Sequence, residues 1–82
     1  MTTTTLLTNV DEEVLCTASE VQSGDRIFFL GTNKGNIYRY NLTTGVKTLL
    51  TGPLAYMITS MDIYSGKLYV GLDNGDFYSI TT

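Results

Sequence analysis

Short apolar and β-branched runs alternate with polar turn clusters along the whole chain, and no run keeps a helical period. The pattern predicts a strand over residues 14–21 and a turn at Ser23-Gly24-Asp25. Residues 26–31 follow as a nearly continuous apolar strand, the pattern of a strand buried on both faces. Asn33-Lys34-Gly35-Asn36 reads as a tight hairpin turn, because glycine supplies the positive φ such turns need. Strands are predicted over 37–42 and, after Thr43-Thr44-Gly45, over 46–51. Gly52-Pro53 opens a loop. The pattern then returns: strands over 56–64, 67–72 and 77–81, with turns at Ser65-Gly66 and Asp73-Asn74-Gly75-Asp76. The chain is predicted to be all-β: a sandwich, a barrel or a propeller.

An internal repeat decides among these. Phe28-Phe29-Leu30-Gly31 and Leu68-Tyr69-Val70-Gly71 lie 40 residues apart, and Gly35 and Tyr38 pair with Gly75 and Tyr78 at the same spacing. Ser23-Gly24 pairs with Ser65-Gly66 at 42, and Thr5-Leu6-Leu7-Thr8 with Thr48-Leu49-Leu50-Thr51 at 43. A period near 40 with four strands per unit predicts propeller blades.

The segment from Ile27 to Gly45 resembles a blade of the WD-repeat and quinoprotein-type propellers: an apolar strand, Gly, a short polar turn with Gly, an aromatic strand, then a Gly turn. Lys67 to Ile80 resembles the same part of a second blade. The Trp-Asp and Gly-His pairs of WD repeats are missing, and so is the tryptophan of the quinoprotein docking motif. The resemblance therefore implies a fold and no catalytic residue.

The phase of the repeat carries the functional expectation. With strands a to d running outward from the ring axis, residues 3–8 form a d strand, residues 14–51 a complete blade, and residues 56–82 a blade that lacks its outer strand. Two blades cannot close a ring, and propellers have about four to eight. The expected assembly is a homotrimer with six blades, or alternatively a homotetramer with eight. In it the N-terminal strand of one copy completes the last blade of its neighbour by strand exchange. Burying Leu6 and Leu7 in that exchange would contribute roughly 1.5–3 kcal/mol each before entropy costs. The opening Met, with both ends near strand boundaries, favours a complete product over a fragment of a longer propeller.

Composition narrows the rest. At 82 residues with 43% hydrophobic and 16% charged side chains, the chain is a single globular domain whose small core calls for oligomerisation. Cys16 is the only cysteine, which rules out an internal disulfide. Histidine is absent, so neither a typical zinc site nor a serine triad can be built, and no metal or cofactor is expected. Net charge is −3, with five scattered Lys and Arg residues, which argues against nucleic acid. The apolar runs are too short for a helical membrane span, and the N-terminus has no signal-peptide pattern. A reducing interior is expected: the cytoplasm, or a virion or host-cell interior.

By strand phase, one end of the ring gathers Asp11, Glu12 and Glu13 with the 33–36 turn, and residues 52–56 with Asp73, Asn74 and Asp76. Five acidic residues against Lys34 make that end anionic, and Tyr56 beside Leu54 offers an aromatic anchor. The expected function is a non-enzymatic binding or scaffold protein that presents repeated acidic sites to a basic protein or peptide. The alternative is small-molecule or carbohydrate binding between blades, in a ligand-sequestering or lectin-like manner. Asp73-Asn74-Gly75-Asp76 lacks the spacing of a calcium loop and reads as a hairpin turn. The six Tyr and three Phe read mainly as packing.

Overall fold

The computed structural model describes residues 2–82. Seven strands form: β1 (Val14–Gln22), β2 (Asp25–Thr32), β3 (Ile37–Asn41), β4 (Lys47–Thr51), β5 (Ile58–Tyr64), β6 (Lys67–Leu72) and β7 (Phe77–Thr81). They make two antiparallel sheets, a four-stranded one in the order β1-β2-β3-β4 and a three-stranded one in the order β5-β6-β7. No helix is present among the described residues. Each sheet is a simple meander, as expected when consecutive strands are joined by short turns.

The turn chemistry explains the hairpins. Ser23 and Gly24 both take positive φ (51° and 85°), as do Ser65 and Gly66 (52° and 79°). Two consecutive positive values mark the mirror-image turn whose twist matches the flanking strands. The register reveals how closely the two sheets correspond. Val14 opposes Thr32 and Cys16 opposes Gly31, with a bulge between. Ile58 opposes Leu72 and Ser60 opposes Gly71, with a bulge at the same place. The β1–β2 hairpin continues past the Glu20–Ile27 pair to Gln22–Asp25, whereas β5–β6 ends at the corresponding Tyr64–Lys67 pair. The drift in repeat spacing is thus a longer hairpin in the first sheet.

Two predicted strands depart from the observed ones by more than a residue at an end. Tyr56 and Met57 precede β5 instead of starting it, because this stretch crosses the 33–36 turn. Leu54 N–H donates to the Gly35 carbonyl (2.8 Å), and the Met57 carbonyl accepts from Asp73 N–H (3.2 Å). Residues 3–8 form no strand with this chain. Leu6 is left 81% exposed.

The core lies between the sheets. Ile27, Phe29 and Ile37 of the first sheet meet Ile58, Leu68, Val70 and Leu72 of the second, all buried. Strand alternation puts Ile27, Phe29 and Gly31 on one face of β2 and Phe28 and Leu30 on the other. Only the first set faces the second sheet. Gly31 is what lets the sheets approach: a Cβ there would stand 2.6 Å from Ile58 Cγ2 and 2.9 Å from Cys16 Sγ. The far ends of the sheets are tied through Thr82, whose hydroxyl donates to Glu20 (2.9 Å) and accepts from Gln22 Nε2 (3.2 Å).

Candidate functional site

The loops at one end of the two sheets are joined by backbone hydrogen bonds. Asn33 N–H donates to the Glu13 carbonyl (3.0 Å), which fixes the segment before β1 against the β2–β3 turn. The 52–57 connection rests on that same turn through Leu54, and the β6–β7 turn joins it through Asp73. Every sequence-predicted site residue therefore lies on one continuous loop system.

Within it the residues divide into two kinds. Glu12 is held from several directions. Its carboxylate accepts from Thr32 Oγ1 (2.7 Å), from Asn36 Nδ2 (3.0 Å to each oxygen) and from Tyr38 Oη (3.0 Å). The Thr32 and Asn36 bonds hold its carboxyl below the ordinary value. Partial burial opposes them, and the Tyr38 bond and the Lys34 charge assist. The same bond to Glu12 pushes the Tyr38 phenol up. Glu12 is thus an internal brace between the N-terminal segment and the β2–β3 hairpin. Thr32, Asn36 and Tyr38 were not singled out as its partners by sequence reasoning. The signal available was Tyr38, which recurs at Tyr78 in the second unit.

The other acidic side chains face solvent. Asp11 adopts positive φ (58°), and its N–H donates to Asn9 Oδ1 (2.7 Å), a local turn that turns the Asp11 carboxylate free of the hydrogen-bond network. Glu13 and Asp73 are exposed and accept no side-chain hydrogen bond among the described residues. Asn74 and Asp76 bond to each other: Asp76 N–H donates to Asn74 Oδ1 (3.1 Å), and Asn74 Nδ2 to Asp76 Oδ2 (3.0 Å). Tyr56 is exposed in the bend before β5.

No group of three or more metal-ligating side chains occurs among the described residues. Cys16 is half-buried against the second sheet, and burial pushes its thiol up, away from the thiolate that nucleophilic chemistry needs. No described helix is long and apolar enough to cross a membrane.

The Glu12 brace makes a pH prediction. Its pKa in the fold lies below the ordinary 4.5 of the unfolded chain. The stabilisation is therefore complete above that value and is lost as pH falls through the folded one. The Tm gap between wild type and Glu12→Gln is expected to be widest above the ordinary carboxyl value of 4.5 and to close as pH falls below it through the lowered folded-state value. A gap that stays constant over this range would show that the charge of Glu12 has no part in the brace.

Compared with protein-family models, curated proteins and solved structures, the chain gives no significant match, so its function rests on the loop system and the sheet faces alone.

Proposed function

We propose that the protein is a non-enzymatic binding module that assembles from copies of itself and presents the acidic loop end to a basic protein or peptide. The observation that carries the binding reading is the separation of roles at that end. Glu12 is consumed in bracing, while Asp11, Glu13 and Asp73 stand exposed on loops that are hydrogen-bonded to one another. A braced platform holds its charges in place before a partner arrives, which lowers the ordering cost of binding. Tyr56, exposed beside them, supplies apolar contact area.

Assembly is supported by the exposed apolar side chains of the sheets, Tyr64 and Phe77 among them, and by the exposed Leu6 and Leu7. Two sheets of blade-like meander, repeated by three chains, make a six-bladed ring; four chains make an eight-bladed one. Residues 3–8 would then lie along the free edge of β7 in the next copy, where β4 lies along β3 in this one. Each ring would carry the acidic site once per chain, and a multivalent partner would gain avidity.

The test is calorimetric titration with an arginine-rich peptide, alongside native mass. Wild type is expected to have the mass of three or four chains and to bind one peptide per chain, with affinity falling as salt rises. Asp11→Lys with Asp73→Lys is expected to keep the mass and lose affinity tenfold or more. Equal binding by both proteins would refute the acidic site.

A further inference from the structure

Each sheet has two faces; the core between the sheets covers one face of each, while on the outer face of the β1–β4 sheet residues 5–8 cover only part, burying Tyr40 and leaving Val14 open. The β5–β7 sheet lays Ile58, Leu68, Val70 and Leu72 on the Ile27, Phe29 and Gly31 face of the β1–β4 sheet. The shared register and shared bulge give each of these residues a counterpart in the other sheet. Val14 stands where Ile58 does, and Phe28 and Leu30 where Leu68 and Val70 do. Conversely, Tyr69 stands where Phe29 does, Gly71 where Gly31 does, and Phe77 where Ile37 does.

Two of the counterparts are open where the core residue is closed. Ile37 is 0% exposed, but Phe77 is 72% exposed. Ile58 is 0% exposed, but Val14 is 43% exposed. Phe77 stacks on Tyr69, with ring centroids 6.1 Å apart, and forms an aromatic platform on the outer face of the β5–β7 sheet. Val14, Phe28, Leu30 and Tyr40 line an apolar groove of about 340 Å³ on the outer face of the β1–β4 sheet, rimmed by residues 5–8. The chain therefore carries a second, incompletely covered copy of each half of its own internal interface.

We infer that the groove face of one copy stacks on the Tyr69–Phe77 face of the next, repeating the internal sheet-on-sheet contact between chains. In that contact Val14 of one copy lies over Gly71 of its neighbour, as Ile58 lies over Gly31 within the chain. The two faces differ, so the contact is head-to-tail and propagates until it closes. This inference rests on the reading of the chain as a self-assembling module and specifies which surfaces meet.

Single charges on each face test it. Phe77→Asp and Val14→Asp each spoil one face, and both residues lie on strand surfaces outside the core between the sheets. Each variant alone is expected to keep the far-UV circular dichroism of wild type and to sediment as a single chain. Mixed in equal amounts at high concentration, the two are expected to form a species of two chains and nothing larger. Each retains the face the other lacks, and the spoiled faces terminate the stack. Val46→Asp, in the β3–β4 turn, is expected to leave the wild-type mass unchanged. A wild-type protein of single-chain mass overturns both the assembly reading and this inference. A wild-type oligomer that either face variant leaves intact overturns the face pairing alone. So do a variant that dimerises by itself, which marks a contact between like faces, and a mixture that remains at single-chain mass.

Discussion

Replacing Phe29 by alanine is expected to cost about 3–5 kcal/mol, the usual range for removing a fully buried aromatic ring. Phe29 is 0% exposed, lies opposite Ala18 and Arg39 on the neighbouring strands, and faces the second sheet. The space it leaves is bounded by two sheets already in close approach, with the Ile58 side chain packed directly on Gly31, so collapse into the cavity is limited. Domains of this size have roughly 5–15 kcal/mol of stability in total, so the loss takes a large share of it. A urea titration should show the midpoint displaced with the slope retained. The informative comparison is Phe28→Ala, one residue earlier and on the opposite face. Its effect should be smaller at low chain concentration and should grow with concentration, because Phe28 is only half-buried within the chain and the proposed assembly would complete its burial against a neighbouring copy. The Phe29→Ala loss should not depend on concentration. Equal effects at all concentrations would mean that the two faces of β2 are packed alike, contrary to the observed stacking.

Gly35→Ala is the second large effect. Gly35 has φ +81°, and a Cβ there would stand 2.3 Å from the Leu54 carbonyl oxygen and 2.9 Å from that of Tyr56. The left-handed conformation alone costs an L-residue about 1–2 kcal/mol. The clash is additional, and it is with backbone, which cannot rotate away. The connection must lift from the turn, with loss of the bond from Leu54 N–H to the Gly35 carbonyl. Gly45→Ala separates the two contributions. Gly45 has φ +74° with nothing within 4 Å of its would-be Cβ, so its substitution carries the conformational cost alone. In a chain of this length 1 kcal/mol moves Tm by about 4–8 °C. Gly35→Ala is therefore expected to lower Tm by well over twice the Gly45→Ala shift. It should also weaken the peptide binding proposed for the acidic end, because the 52–57 connection carries Tyr56 and anchors Asp73. Similar Tm values for the two variants would show that the connection does not rest on the turn.

The acidic end shows how far local pattern reaches. Asp11, Glu12, Glu13, Tyr56, Asp73, Asn74 and Asp76 could be placed at one end because strand phase alone decides which turns share an end. Their different roles could not be read that way. Glu12 and Glu13 are adjacent and chemically alike. One braces a hairpin twenty residues further on and the other is exposed, and that choice depends on where Thr32, Asn36 and Tyr38 arrive in space. The start of β5 was likewise outside local reach. Tyr56 and Met57 suit a strand by composition, but contacts with residues 35 and 73 draw their backbone into a crossing.

The sequence by itself determined the all-β class, the hairpin turns and the order of the strands, because alternation and turn chemistry act over a few neighbouring residues. The two sheets also carry bulges at matching register, before Cys16 and Ser60, which local pattern does not mark. Only the tertiary structure decided which face of each sheet is buried. In β2, Ile27-Phe28-Phe29-Leu30 is apolar on both sides, so periodicity cannot choose between them. The choice is made by Gly31, whose missing side chain lets Ile58 approach from one side. The other side is left to the groove beside Val14.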